Sequence, residues 1–356
     1  MVLLQDGYLG MGKYVRDFEQ ALESILGRPS VCVNSGTAAL HLAIESIISP
    51  GDEVLVPTIT YVATYQAILA AGGVPVSVDV NEHNLCLDID DAEKKLTPES
   101  KVIIPVWYAG NGEDFKRVYR FAKENSLRVI EDAAHAFGTT IDKNGVKIGE
   151  SGDVACFSFD GIKNITCGEG GAIVSSDPTV LEYCKNARLL GVCNDSETRY
   201  SGNRSWLSSI VCNGYRYHMS NLNAAIGLVQ LDKFPVFSKA RRELANYYVN
   251  ALSNVKAITC LDIDFEKVVP HIFPVLLPEG ADRVEIRREL KLKGIETGVH
   301  YFPNHMHQFF EQQKYKCPSA EKLFPRLLTL PMHPEVTQND ADYIVKELIS
   351  CLEPYL

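Results

Sequence analysis

The sequence has no surplus of positive charge, no apolar run of membrane-spanning length and no CxxC pair of cysteines. The net charge of −10 argues against a nucleic-acid-binding surface, which needs clustered lysine and arginine. Without a long apolar run we expect no membrane span, and residues 1–6 lack the pattern of a signal peptide. The ten cysteines are scattered, several inside apolar segments, which is typical of reduced thiols in a cytoplasmic protein rather than of a disulfide framework or a zinc site.

Short apolar segments alternate with helical segments through the first half of the chain. The predicted strands are Val31–Val33, Val54–Val56, Val74–Val78, Val102–Val106, Leu127–Ile130, Asp153–Phe159 and Ala172–Val174. The predicted helices are Lys13–Gly27, Thr37–Ile48, Tyr61–Ala71, Asp90–Leu96 and Asp114–Asn125. Several strands are apolar throughout, which favours an α/β fold with a doubly wound, mostly parallel sheet. Such a sheet binds its ligand at the carboxyl ends of the strands.

The pattern changes after about residue 190. Residues 191–214 form a polar stretch without periodicity, and loops of that length are usually functional or disordered. Two helices are predicted next, at Asn221–Leu231 and Val236–Ser253, followed by a strand at Pro270–Leu277. Beyond them, Asp282 with Glu285 and Thr337 with Asp340 have the spacing of helix capping boxes, and Gly294–Gly298 is expected to lead back into a strand. We therefore expect a large domain at 1–240 and a smaller C-terminal α/β domain at 241–356.

One lysine stands where a predicted strand ends. Phe157–Phe159 runs into a turn that carries Lys163, and a glycine-dense segment at Gly168–Gly171 follows. A lysine on such a turn is either an ordinary surface residue or a desolvated amine available for Schiff-base chemistry. The glycines permit a close approach to the backbone.

Two other strand ends carry candidate ligand-binding residues. Asn34–Leu40 follows a strand and opens a helix, so its backbone N–H groups form either a phosphate site or an ordinary cap by Ser35 or Thr37. Tyr61 follows the next strand, where it either stacks on a planar ligand or packs in the core.

Glu131 and Asp132 end a further strand. A buried carboxylate there needs a cation or a hydrogen-bond donor, unless Asp132 merely caps the following segment. A phosphate cradle, a stacking aromatic ring, a strand-end acid and a turn lysine together match the requirements of pyridoxal 5′-phosphate (PLP). Three histidines, His300, His305 and His307, lie close in sequence, but no acidic or cysteine ligand accompanies them at a fitting spacing, so no metal is predicted.

The motifs at these positions occur in the order seen in a known family. They are SGTAAL at Ser35–Leu40, TYVAT at Thr60–Thr64, EDAAHA at Glu131–Ala136, FSF at Phe157–Phe159, KN at Lys163–Asn164, GEGGA at Gly168–Ala172, MSNLNAAIGLVQL at Met219–Leu231, GIETGVHY at Gly294–Tyr301 and LPMHPEVT at Leu330–Thr337. From about Gly7 onward, the chain resembles the DegT/DnrJ/EryC1/StrS family of PLP-dependent nucleotide-sugar aminotransferases, which have fold type I. Relatives carry a longer segment before Gly7, so we expect a trimmed lobe or a shortened form.

The resemblance implies roles for individual residues. Lys163 would bind PLP covalently and Asp132 its pyridine nitrogen, while Tyr61 stacks on the ring and His135 lies near its 3′-oxygen. The implied phosphate ligands are Gly36, Thr37 and Ser158. His300 and Tyr301 would contact the sugar nucleotide.

The family works as a homodimer with shared sites, and here the shared loop is Gly214–Met219. Within it, Arg216 replaces an asparagine that usually contacts the phosphate. Asp160 likewise replaces the more usual histidine or tyrosine. Trp206 would either stack on a base or anchor its loop.

The implied reaction is amino transfer from L-glutamate to a nucleotide-linked keto-6-deoxy sugar in the cytoplasm, in O-antigen, glycan or antibiotic sugar assembly. The SGTAAL and CGEGGA versions of the motifs resemble the branch that aminates C4. C3 amination and amination of a keto-cyclitol remain alternatives, as does a non-catalytic PLP or nucleotide-sugar binding protein. A sugar dehydratase of the same fold would need a histidine in place of Lys163.

Overall fold

The computed structural model describes residues 7–193, 209–310 and 315–355. In the first part of the chain the strands are β1 (Ser30–Val33), β2 (Glu53–Pro57), β3 (Val74–Val78), β4 (Ser100–Ile103), β5 (Arg128–Asp132), β6 (Val154–Ser158) and β7 (Gly171–Ser175). Its helices are α1 (Lys13–Leu26), α2 (Gly36–Glu45), α3 (Val62–Ala70), α4 (Ile89–Lys95), α5 (Phe115–Glu124) and α6 (Pro178–Ala187). Among the described residues, no helix is both long and apolar enough to cross a membrane.

The remaining elements begin with a long helix. They are α7 (Asn221–Leu252), β8 (Thr259–Cys260), β9 (Phe273–Leu276), α8 (Arg283–Leu292), α9 (Pro318–Leu323), β10 (Leu327–Leu330) and α10 (Gln338–Leu352). The strands β10, β9 and β8 form a small antiparallel sheet in that order.

The large sheet has the strand order β1-β7-β6-β5-β4-β2-β3. Neighbouring strands are parallel except at β7, which is antiparallel to both β1 and β6. The predicted doubly wound, mostly parallel sheet is thus confirmed. Because β7 runs backwards, its first residue, Gly171, pairs with Val33 and with Ser158 at the carboxyl ends of β1 and β6. Three strand ends therefore meet at one point of the sheet edge.

Both faces of the large sheet are covered. Alternate residues of the strands, such as Val54 and Leu55, belong to two separate buried clusters. One cluster packs against α1 and α5, and the other against α2, α3 and α6. Burial on both faces explains why these strands are apolar throughout.

A third buried cluster joins the small sheet, α8, α10 and the second half of α7. The first half of α7 instead packs against α1. We therefore retain, as a proposal, the division of the chain within α7, into 1–240 and 241–356.

Three local predictions are corrected. The two helices predicted at Asn221–Leu231 and Val236–Ser253 are one helix of 32 residues that contains Pro235. Packing of both halves of this helix outweighs the hydrogen bond lost at the proline. Asp282 caps α8, but Glu285 pairs with Arg288 instead of completing a capping box. Gly294–Gly298 leads only to a single bridge with β10. The capping box of Thr337 with Asp340 is confirmed.

Candidate active site

A cavity of about 420 Å³ opens at the carboxyl edge of the large sheet. Its described lining contains most of the residues singled out from the sequence: Gly36, Thr37, Tyr61, Asp132, His135, Ser158, Lys163, His300 and Tyr301. It also contains Ser35, Thr60, Thr64, Asp160 and Glu169, among others. Residues distant in sequence therefore converge on one site, as expected for the strand ends of a parallel sheet.

The N-terminus of α2 forms one end of the cavity. Ser35 caps the helix by accepting a hydrogen bond from the backbone N–H of Ala38 (3.1 Å). A Cβ atom at Gly36 would lie 2.7 Å from the Cβ of Ser158, and one at Gly171 would lie 2.4 Å from the carbonyl oxygen of Ser35. Both glycines are needed for the helix to approach the strand ends. The N–H groups of Gly36 and Thr37, at the start of this first turn, have no partner within the helix and are suited to an anion.

Asp132 lines the cavity and is buried. Its carboxylate accepts hydrogen bonds from the Thr64 hydroxyl (2.8 Å) and from the backbone N–H of Ala134 (3.2 Å). Burial raises the pKa of Asp132, while these two hydrogen bonds and the charge of Lys163 act in the opposite direction. A cationic ligand nitrogen next to this carboxylate would offset the cost of its burial.

Lys163 lies on the turn after β6, and its backbone N–H donates to the carbonyl of Asp160 (3.1 Å). Burial lowers the pKa of the Lys163 amine to about 8, although the charges of Asp132 and Asp160 act to raise it. Its Nζ lies 3.2 Å from Nε2 of His271. At neutral pH an appreciable fraction of this amine is unprotonated, as a nucleophile or proton acceptor requires.

Aromatic side chains also line the cavity. Tyr61 is 60% exposed, and its ring centroid lies 5.6 Å from that of Tyr301. The Tyr301 hydroxyl is 2.9 Å from Nε2 of His135. His300 is held by a hydrogen bond between its Nδ1 and the Thr329 hydroxyl (2.9 Å), and burial, followed by the charge of Lys163, lowers its pKa to about 4. The exposed face of Tyr61 leaves room for a planar ligand.

Arg216 is not in the described lining of this cavity. It is exposed, and its backbone forms a bridge with Leu189. Trp206 lies outside the described residues.

The sequence reasoning missed His271, because a lone histidine in an apolar predicted strand gives no functional signal. It also missed Thr64, although this residue lies in the TYVAT motif and binds Asp132.

A sequence profile of the DegT/DnrJ/EryC1/StrS aminotransferase family matches residues 2–349. The chain belongs to this family. Its relatives include the uncharacterized protein MJ1066 of Methanocaldococcus jannaschii, which is 34% identical over 98% of this chain and 93% of that protein.

Two solved structures extend the comparison. Helicobacter pylori PseC, an aminotransferase involved in the biosynthesis of pseudoaminic acid, is 26% identical with a TM-score of 0.90, over 99% of this chain and 94% of its own. NtdA of Bacillus subtilis, solved with bound pyridoxamine phosphate (PMP), is 28% identical with a TM-score of 0.88, over 99% of this chain and 80% of its own. The expected family, fold and cofactor are confirmed, and the chain is a PLP-dependent sugar aminotransferase.

The described residues fit this cofactor. The N-terminus of α2 can lie this close to Ser158 only because Gly36 has no side chain, and a buried acid and an amine of lowered pKa line the same cavity. The buried Nδ1 of His135 has no hydrogen-bond partner among the described residues. The N-terminus of α2, the buried acid and the amine are suited to the phosphate, the ring nitrogen and the aldehyde of PLP, respectively.

Proposed function

We propose that this enzyme transfers an amino group from L-glutamate to the keto group of a nucleotide-linked 6-deoxy sugar, with C4 as the site of amination. The observation that carries the proposal is the convergence of Lys163, Asp132 and the α2 N-terminus on one cavity large enough for a cofactor and part of a substrate. The SGTAAL and CGEGGA motifs support C4 over C3. The product would serve glycan assembly.

We propose the following roles at the cofactor. The amine of Lys163 holds PLP covalently, and the N–H groups of Gly36 and Thr37 with the Ser158 hydroxyl bind its phosphate. Asp132, oriented by Thr64, keeps the pyridine nitrogen protonated. Tyr61 covers the ring, and His135 contacts the ring and its 3′-oxygen. When bound, PLP supplies an electron sink that lets a proton leave the carbon bearing the transferred nitrogen.

Lys163 is also the proposed proton carrier. An amine with a pKa of about 8 can both accept and return a proton near neutral pH, whereas an ordinary lysine remains protonated. His300 and Tyr301, which line the cavity, are proposed to contact the sugar nucleotide. The lowered pKa of His300 keeps it neutral there, as a hydrogen-bonding group without charge.

A homodimer is part of the proposal. Because Arg216 is exposed and outside the described lining of its own chain, we propose that it reaches the phosphate in a partner's site, where a guanidinium suits an anion. A cytoplasmic location is also proposed, since all ten cysteines are free and most are buried.

The first test follows the absorbance of the PLP-loaded enzyme on addition of L-glutamate. We expect a visible band that glutamate converts to the PMP form. In Lys163→Ala the band is expected to be lost, whereas Lys185→Ala, a change at an exposed lysine of α6, should behave as wild type. A band that ignores glutamate would contradict the proposed donor.

The second test supplies glutamate with dTDP-, GDP- and UDP-linked 4-keto-6-deoxyhexoses and identifies the product by NMR. Amination at C4 is expected. A C3 amino sugar would contradict the C4 assignment, and turnover of a keto-cyclitol alone would contradict the nucleotide-sugar substrate. Bound PLP without turnover of any keto compound would favour a non-catalytic binding protein.

A further inference from the structure

His271 is the residue whose position the reaction described above does not explain. It lies 108 positions from Lys163 in the sequence, two residues before the start of β9, yet its Nε2 is 3.2 Å from the Lys163 Nζ. Its side chain is buried, and its ring packs against that of His135 with centroids 4.5 Å apart. A residue from the C-terminal part of the chain thus contacts the amine on the large sheet.

The hydrogen bond has one direction when the amine is charged. An ammonium group can only donate, so Nε2 of His271 accepts and the ring proton lies on Nδ1. This requires a neutral imidazole. Burial, and then the charges of Lys163 and the neighbouring groups His135, Arg241 and His300, lower the pKa of His271 well below its usual value.

The Nδ1 atom of His271 indicates that packing alone does not explain a histidine at this position. This atom is buried and has no hydrogen-bond partner among the described residues. A buried polar atom without a partner is costly, and an apolar side chain of similar size would avoid that cost. The benefit of a histidine at this position therefore lies at Nε2, which faces Lys163.

The backbone that carries His271 is fixed from two sides. The guanidinium of Arg241 on α7 donates to the carbonyls of Pro270 (3.2 Å) and His271 (3.3 Å). Asn164, next to Lys163 in the chain, donates to the carbonyl of Val269 (3.0 Å). A hydrogen bond thus connects the turn that bears Lys163 to the segment that bears His271, and it fixes the position of one side chain relative to the other.

We propose that His271 is a positioning residue that accepts a hydrogen bond from the Lys163 ammonium whenever this amine is not bonded to the cofactor. The acceptor holds the amine at the cavity wall and favours its protonated form. The carboxylates of Asp132 and Asp160 act on the amine in the same direction, so His271 adds to their effect. The inference rests on the proposed role of Lys163.

The test uses the full-length enzyme loaded with PMP, in which Lys163 is free. Trace labelling with acetic anhydride between pH 6 and 10, with mass spectrometry of the Lys163 peptide, gives the titration midpoint of this amine. In His271→Leu we expect the midpoint to fall by about one pH unit, because a hydrogen bond that favours the charged form is lost. His271→Gln, which offers an acceptor at a similar reach, is expected to recover most of the shift.

His41→Leu is the matched control, because His41 is also buried but contacts Tyr217 and is outside the described cavity lining. Its Lys163 midpoint should equal that of wild type. If His271→Leu does not fold, His271→Asn, whose amide is too short to reach Nζ, takes its place with the same expectation. A folded His271→Leu or His271→Asn protein with an unchanged midpoint would overturn the inference. Since no keto substrate is used, that result would leave the proposed function standing.

Discussion

The close approach of Gly36 to Ser158 at the proposed phosphate site provides a sharp test. Replacing Gly36 by alanine adds a Cβ that would lie 2.7 Å from the Cβ and 3.0 Å from the Oγ of Ser158. Carbon atoms in proteins pack at about 3.5–4.0 Å, so helix α2 or strand β6 must shift by roughly 1 Å. Overpacking of this kind costs about 1–3 kcal/mol. If the N-terminal turn of α2 moves, its N–H groups no longer converge on the proposed phosphate position.

We therefore expect Gly36→Ala to weaken PLP binding by roughly 10- to 100-fold, at about 1.4 kcal/mol for each factor of ten. Binding is measured by fluorescence titration of the cofactor-free protein with PLP and, separately, with pyridoxal, which lacks the phosphate. Pyridoxal affinity should change little, because the proposed aldehyde and ring contacts lie at Lys163 and Asp132.

Gly161→Ala is the matched control. A Cβ at Gly161 would approach the nearest atom, the carbonyl oxygen of Gly168, only to 3.8 Å, an ordinary contact. This variant lies on the same turn as Lys163 and should bind PLP as wild type does. An equal loss of PLP and pyridoxal affinity in Gly36→Ala, or no loss of either, would refute the phosphate assignment.

Three further predictions concern charge. The rate of PLP capture by Lys163 should rise about tenfold per pH unit up to pH 8 and then level off, because the pKa of this amine is about 8; a rise continuing to pH 10 in stopped-flow absorbance would contradict this. Asp132→Asn should retain bound PLP but slow the glutamate half-reaction by at least about 100-fold, as measured by single-turnover absorbance. Burial raises the pKa of Glu131 from 4.5 to about 7, so between these pH values the folded protein holds a proton on Glu131 that the unfolded chain has released. The free energy of unfolding should therefore fall as the pH rises from 5 to 7. Glu131→Gln should lack this component, about 2 kcal/mol, in urea unfolding at the two pH values; an identical pH dependence in both proteins would contradict it.

The sheet was predictable because its strands are buried on both faces and therefore apolar. The segment around Val54–Val56 can be recognised from composition alone, and β2 occupies it. The reversed direction of β7 has no such signature, because an apolar strand has the same composition in either direction. The sequence could thus indicate that Gly171 lies near Lys163 but not that it separates the ends of β1 and β6.

The limits of prediction at the site have a similar cause. Lys163, Asp132 and the α2 N-terminus belong to separate loops, and the rule that parallel strands end at one edge brings these loops together. His271 follows no such rule. Its contact with Lys163 depends on how the segment before β9 packs against the large sheet, through the hydrogen bonds of Arg241 and Asn164. Packing between distant segments is not encoded in local periodicity.

The adjacent acids Glu131 and Asp132 have different environments although they are neighbours in the sequence. Side chains alternate across a strand, so only one of the two can face the cavity. Glu131 points away and accepts hydrogen bonds from the indole of Trp107 (2.8 Å) and the hydroxyl of Tyr119 (2.7 Å), both inside the fold. Asp132 faces the cavity, where its two hydrogen-bond donors, a hydroxyl and a backbone N–H, are neutral. The carboxylate that faces the cavity is therefore the one that a protonated ligand nitrogen can reach, and this distinguishes the proposed partner of PLP from an acid that only stabilises the fold.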